Sequence, residues 1–346
     1  MRKRQSTAHL TRRGFLYLAG GLTVASALAA CGDGDSDEAG SAAEATSGPW
    51  EYTDDRGKKI SRPTRPTRVV AYVSSAAALW DFGFEVVGAF GPQKTESGGK
   101  ELQAGNMDLS KVESVGNAWD DFNVEKLAAL RPDLVVTGMT GEGDDSMWVF
   151  TEPDLIAKVE QVAPILAISE FKLAQPAVIE RYAKLATSLG ADTGAGAVKT
   201  AKDDFQKASD ELKQAAQEKG GLKIMAMSAD KDGIYVAKPE FFADLAYYRE
   251  LGLDLVSGGG SDDYWETLSW EQVAKYPADL ILTDSRTYSL SRQQLDEFPT
   301  WKQLPAVKAG QLGDWSAEPR FNYQLATPVI RELTESVRSA RTDVVA

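Results

Sequence analysis

Residues 123–138, NVEKLAALRPDLVVTG, and residues 269–284, SWEQVAKYPADLILTD, are two statements of one unit. They start 146 residues apart, and five of sixteen positions match without a gap: Glu125/Glu271, Ala128/Ala274, Asp133/Asp279, Leu134/Leu280 and Thr137/Thr283. In each, a residue suited to an N-cap (Asn123, Ser269) opens a short helix, and a glutamate follows two places later. A loop then leads into an apolar strand that begins Asp-Leu. The spacing is far too wide for a solenoid repeat. It predicts two similar α/β lobes, each carrying one glutamate at an equivalent place.

Outward from these units, strands alternate with helices, which implies mostly parallel sheets. Lobe one, residues 51–192, opens with strands at Arg68–Val73 and Val86–Phe90 around a helix Ala76–Phe82, and closes with a helix whose face is Val178, Ile179, Tyr182, Leu185, Ala186 and Leu189. Lobe two, residues 221–346, repeats the pattern, with strands near Leu222–Ser228, Gly233–Ala237 and 311–315 and a final helix from about Asn322 to Arg341. Between them, residues 193–220 carry apolar side chains at 198, 201, 205, 208, 212 and 215 without a proline, ended by Gly220-Gly221. A helix over Thr193–Lys219 would be roughly 40 Å long. That length suits a rigid strut between lobes, or a long helix lying on one of them.

Residues 1–31 read as an export signal. Thr11-Arg12-Arg13-Gly14-Phe15-Leu16 is a twin-arginine motif, and Leu28-Ala29-Ala30-Cys31 is a lipobox that would place a lipid on Cys31. Residues 32–50 are acidic and small and read as a disordered tether. Cys31 is the only cysteine, and His9, the only histidine, lies in the signal. The exported part therefore offers no imidazole or thiolate. This argues against zinc, copper or nickel sites, and against Ser-His-Asp or Cys-His catalysis. No resident metal or cofactor is expected. The whole chain carries −13, and losing five basic and no acidic residues with the signal takes it to −18. Nucleic acid is an unlikely partner for such a surface.

Ligands of open α/β sheets bind beyond the carboxyl ends of strands. Tyr72, Trp148, Arg286, Trp315 and Arg320 fall at or just past such ends, and Tyr235 sits in a lobe-two strand. Trp119 and Trp265 each stand six residues before a repeated glutamate. Aromatic rings with guanidinium groups suit a bulky, partly apolar ligand bearing carbonyl or anionic oxygens. Each tryptophan could equally be core packing, Arg286 could be a surface ion pair, and acids in a first helical turn are favoured by the dipole alone.

PTRVVAYVSSAAALWDFGFEVVGAF (66–90), the NVEKLAALRPDLVVTG unit and LPAVKAGQLGDW (304–315), in this order, resemble the substrate-binding lipoproteins of ABC importers whose lobes are joined by one long helix. These are the ferric-siderophore, haem and cobalamin binders, and the chain is most similar to the ferric-siderophore binders. The resemblance implies a class III periplasmic-binding-protein fold, two Rossmann-like lobes joined by one long rigid helix, with no enzyme activity. It implies that Glu125 and Glu271 dock on arginines of a permease dimer served by a cytoplasmic ATPase. It further implies that Trp119, Trp265 and Trp315 line the cleft and that Arg286 meets iron-coordinating oxygens. The expected cargo is a ferric siderophore that holds its own iron, with cobalamin or haem as alternatives. An exported enzyme and a surface sensor are further alternatives. The expected location is the outer face of the cytoplasmic membrane, held by lipid on Cys31, as a monomer.

Overall fold

The computed structural model describes residues 48–194 and 196–345. The twin-arginine motif, the lipobox with Cys31 and most of the acidic tether lie outside the described residues. The tether expected to reach residue 50 stops short of it, because Trp50 already begins a strand.

Lobe one opens with a hairpin of β1 (Trp50–Thr53) and β2 (Lys59–Arg62). Then come β3 (Val69–Tyr72), α1 (Val73–Asp81), β4 (Gly88–Phe90), β5 (Glu113–Ser114), α2 (Val124–Leu130), β6 (Leu134–Met139), α3 (Pro153–Val162), β7 (Ile165–Ser169) and α4 (Gln175–Ser188). Its five-stranded sheet runs β5-β4-β3-β6-β7, parallel throughout. The inner strands read VVAY and LVVTGM and are buried at every position, as a parallel sheet covered on both faces requires. Gly190, at φ +95°, stops α4, and a side chain there would meet the Arg65 guanidinium at 2.5 Å.

The long helix α5 spans Gly196–Glu218, 23 residues or about 34 Å, starting three residues later than the sequence pattern suggests. Its buried face is the expected Val198, Ala201, Phe205, Ala208, Leu212 and Ala215. Lobe two follows with β8 (Lys223–Ala229), β9 (Gly233–Ala237), α6 (Ala243–Glu250), β10 (Asp254–Leu255), β11 (Trp265–Ser269), β12 (Leu280–Asp284), α7 (Arg292–Leu295), α8 (Pro305–Lys308), β13 (Leu312–Trp315) and α9 (Tyr323–Ser339). Its six-stranded sheet runs β11-β9-β8-β12-β13, with β10 beside β8. β9 and β11 are antiparallel to their neighbours, and the remaining pairs are parallel.

The shared Asp-Leu of the repeat has one physical job in both lobes. Asp133 Oδ2 accepts the backbone N–H groups of Thr67 and Arg68 at 3.0 and 2.9 Å, and so anchors the start of β3 beside β6. Asp279 Oδ2 accepts the N–H of Lys223 at 3.0 Å at the start of β8, beside β12. Each aspartate thus sets the register of its lobe's two central strands.

The lobes are tied by more than α5. The last helix, α9, packs along it, with Arg331 facing Asp204 at 3.6 Å and Phe205 against Tyr323 at 5.4 Å. The start of α9 also reaches lobe one. Tyr323 meets Phe82 edge-on at 6.1 Å, and Gln324 Nε2 donates to the Asp81 carbonyl at 3.0 Å. Just ahead of it, Phe321 stacks on Tyr182 at 5.7 Å.

Candidate functional site

The carboxyl ends of β3, β6 and β7 bring one wall of a cleft together. Tyr72 ends β3 and is almost wholly buried, stacked on Trp148 with centroids 5.3 Å apart and planes 4° off parallel. Trp148 sits in the loop after β6, held by its own N–H to the Gly138 carbonyl and by Thr137 Oγ1 donating to its carbonyl. Trp119 Nε1 donates to Tyr72 Oη at 3.1 Å, and Trp148 Nε1 donates to Glu170 Oε2 at 3.4 Å. Glu170 follows β7. Its Oε1 lies 2.0 Å from where a Cβ on Gly138 would stand, so the carboxylate fits only because β6 has a glycine there.

The opposite wall comes from lobe two. Tyr264, at φ +62°, donates its hydroxyl to the Thr140 carbonyl across the cleft at 2.6 Å. Tyr288 meets Trp119 edge-on at 5.1 Å, and Thr287 Oγ1 donates to Glu101 Oε1 at 2.9 Å. Two spaces lie on either side of Trp148 and Thr140. A narrow slot of about 30 Å³ lies among Tyr72, Trp148, Glu170, Phe241, Tyr264 and Glu318. A wider hollow of about 320 Å³ is lined by Trp119, Asp120, Asp145, Met147 and Trp148. Trp148 and Thr140 border both.

Burial shapes the electrostatics. It pushes the Glu170 carboxyl up to about 8, helped by the Glu318 charge and only partly offset by the Trp148 hydrogen bond. Burial also raises Glu318, against the pull of Arg286 and Tyr288, which both donate to its Oε1. Glu170 Oε1 and Glu318 Oε2 are buried without a hydrogen-bond partner. Arg286 is committed elsewhere. It holds Asp284 at 2.6 Å and Glu318 at 3.1 Å, and its guanidinium stacks over Tyr288 at 4.6 Å. Burial works against its charge, but the Asp284 hydrogen bonds prevail and raise its pKa. The expected role of a guanidinium facing ligand oxygens therefore meets a side chain already paired with two carboxylates.

Of the residues expected at the ligand, Tyr72, Trp119 and Trp148 come together here, and Tyr235, Trp265, Arg286, Trp315 and Arg320 line neither space. Trp265 starts β11 and packs on Phe242 and Trp315 at 4.8 and 5.9 Å. Trp315 is 3% exposed and donates Nε1 to Asp244 at 2.8 Å, a core contact. Tyr235 donates its hydroxyl to Asp230 at 2.6 Å. Arg320 stands beside Asp244 and Tyr248 in a separate small recess, its charged form disfavoured by burial. The equal offset of Trp119 and Trp265 does not give equal positions, because β11 precedes Glu271 where an irregular loop precedes Glu125. Glu170, Glu318, Tyr264 and Phe241 escaped the sequence reading. Glu170, Tyr264 and Glu318 are isolated residues in loops and Phe241 ends a short 3-10 turn, and only the fold makes them neighbours.

Glu125 and Glu271 are exposed, each in the first turn after a capping residue. Asn123 accepts the N–H of Lys126 at 2.8 Å to start α2. Ser269 and Gln272 form a capping box that starts a 3-10 turn over Trp270–Lys275, where the sequence repeat predicts an α-helix like α2. Among the described residues no group of three His, Cys, Asp or Glu side chains is placed to hold a metal ion, and no helix is long and apolar enough to cross a membrane.

The chain is similar to known proteins along most of its length. It is 25% identical over 303 residues to the iron(3+)-hydroxamate-binding protein FhuD of Bacillus subtilis (strain 168), covering 84% of this chain and 86% of that one. It is 22% identical over 261 residues to the Fe(3+)-citrate-binding protein YfmC of the same organism, covering 75% and 76%. Among solved structures, DesE, a ferric-siderophore receptor protein from Streptomyces coelicolor, superposes with a TM-score of 0.80 at 38% identity, covering 85% of this chain and 99% of that one. Residues 70–319 match the periplasmic binding protein family. With the two-lobed fold and its cleft, that match makes this chain a substrate-binding protein of the transporter-associated kind and not an enzyme: it belongs to the periplasmic binding protein family.

Proposed function

We propose that this protein captures a ferric siderophore in the cleft between its lobes and delivers it to an ABC permease dimer, held at the outer face of the cytoplasmic membrane by lipid on Cys31. The observation that carries this is the aromatic wall of Tyr72, Trp148 and Trp119 beside a hollow of about 320 Å³. Trp119 and Trp148, the latter backed by the buried Tyr72, offer broad apolar contact to the organic shell of a chelate, whose iron is already fully coordinated. The similarity to a ferric-siderophore receptor and to two ferric-chelate binders supports the same cargo class. The exposed Glu125 and Glu271, one per lobe at matching places in the repeat, are the proposed permease contacts.

Tryptophan fluorescence tests the cargo. Ferric trihydroxamates should quench at micromolar concentrations, while cobalamin and haem should not. Absence of quenching by every ferric chelate would sink the reading. For delivery, cells carrying Glu125→Ala/Glu271→Ala should lose uptake while the purified variant binds as before. Unchanged uptake would remove the docking role.

A further inference from the structure

Every charged side chain that lines the inner slot is an acid, Glu170 from lobe one and Glu318 from lobe two. Both are more than nine-tenths buried, and each keeps one oxygen without a partner. A buried polar atom left bare costs free energy that a bound group could recover. Among the described residues no Lys or Arg lines the slot, and Lys172 stands over the Phe241 ring at 5.1 Å. Arg286 reaches Glu318 but is shared with Asp284. The hollow, which shares Trp148 and Thr140 with the slot, is also lined by the acids Asp120 and Asp145. The slot itself has room for one small group, whereas the hollow has the several hundred Å³ that a compact chelate needs.

Resting on the siderophore reading, we infer that the slot between Glu170 and Glu318 is a subsite for a primary ammonium group carried on the tail of a ferric chelate whose iron centre is uncharged. The chelate body lies in the hollow against Trp119 and Trp148. The tail passes Trp148 and Thr140, which border both spaces, and its N–H groups meet Glu170 Oε1 and Glu318 Oε2. Three hydroxamates cancel the ferric charge and meet this description, while three catecholates leave a trianion that the surrounding acids repel.

A proton linkage follows. The groups facing Glu170 are Trp148, Tyr72, Tyr182, Tyr264 and Glu318, and those facing Glu318 are Arg286, Tyr288, Tyr72 and Asp284. Burial keeps Glu170 protonated in the empty cleft below about pH 8. An ammonium beside it favours the carboxylate, so binding releases a proton, and affinity for the charged tail rises from roughly pH 6 to 8.

The probes are Fe3+–Desferal, a linear trihydroxamate with a primary amine tail, and its N-acetyl derivative. Kd values come from tryptophan quenching, and proton release from calorimetry in buffers of different ionisation enthalpy. At pH 8 the amine form should bind about tenfold or more tighter, an advantage that Glu170→Gln reduces to about twofold or less. At roughly pH 6–7, where Glu170 is still protonated in the empty cleft, binding of the amine form should also release up to one proton that binding of the acetyl form does not. Equal affinities and equal proton release in the unmodified protein would overturn the subsite while leaving the siderophore reading intact. Failure of both chelates to bind would overturn both. The measurements on the unmodified protein decide the matter even where the Gln variant folds poorly.

Discussion

Replacing the two repeated aspartates with alanine should cost unequal amounts, because the same residue does the same job at two different depths. Asp279 is 1% exposed, and its carboxylate accepts three backbone N–H groups, from Lys223 at 3.0 Å, Val344 at 3.1 Å and Val345 at 3.0 Å. Asp133 accepts two, from Thr67 and Arg68, and its side chain is 33% exposed. Hydrogen bonds to a charged group contribute ~1.5–3 kcal/mol each, and a buried donor left bare costs ~1–3 kcal/mol. Asp279→Ala takes the shared acceptor from three part-buried donors at once, so a loss of ~3–5 kcal/mol is expected. After Asp133→Ala, water replaces the carboxylate, and the loss should be ~1–2 kcal/mol. Urea unfolding followed by tryptophan fluorescence measures both, with an unchanged denaturant slope showing that the same surface is exposed. Equal losses, or a larger loss for Asp133→Ala, would refute the burial reasoning.

Other substitutions probe the cleft and the frame. Arg286→Ala leaves Asp284 and Glu318 buried without their cation and should destabilise by ~3–5 kcal/mol in thermal or urea melts. Glu170, raised to about 8 by burial, binds its proton more tightly folded than unfolded. Its contribution is complete below its unfolded pKa and is lost as pH rises from about 4.5 towards 8, a drop on the order of a few kcal/mol that Glu170→Gln should flatten in melts across pH. Tyr264→Phe removes the hydroxyl that bridges to Thr140 and should speed ligand dissociation several-fold in stopped-flow quenching. Because α5 and α9 brace the lobes side by side, small-angle scattering should show little change in radius of gyration when ligand binds.

The two lobes were legible because a register-setting aspartate before a buried strand leaves a fixed pattern, Asp-Leu followed by apolar residues, wherever it recurs. The apolar spacing of α5 was equally plain. Its start was not, since the chain through Thr193 and Gly194 turns before Gly196 opens the helix. The β1–β2 hairpin went unread because strands of four residues with exposed faces carry little periodic signal. In the cleft, Tyr72, Trp148 and Trp119 stood out as large aromatics at strand ends and loops. Glu170 and Glu318 did not, because a lone glutamate looks alike whether it is solvated or sealed under aromatic rings. Trp315 shows the reverse, an apparently ligand-ready indole whose N–H is spent on Asp244 in the core.

The placement of α9 also bears on the order in which the chain can assemble. Phe82 of lobe one meets Tyr323 edge-on, Phe205 of α5 is covered by Tyr323 together with Tyr247, and Gly105 lies where any side chain would meet Leu325. These partners are synthesised after the whole of lobe one and α5. Until residues beyond Asn322 emerge, lobe one and the long helix stand complete in secondary structure yet bare along one seam. Joining of the two lobes therefore follows the synthesis of lobe one and α5, and a ribosome paused before Tyr323 holds two half-finished bodies.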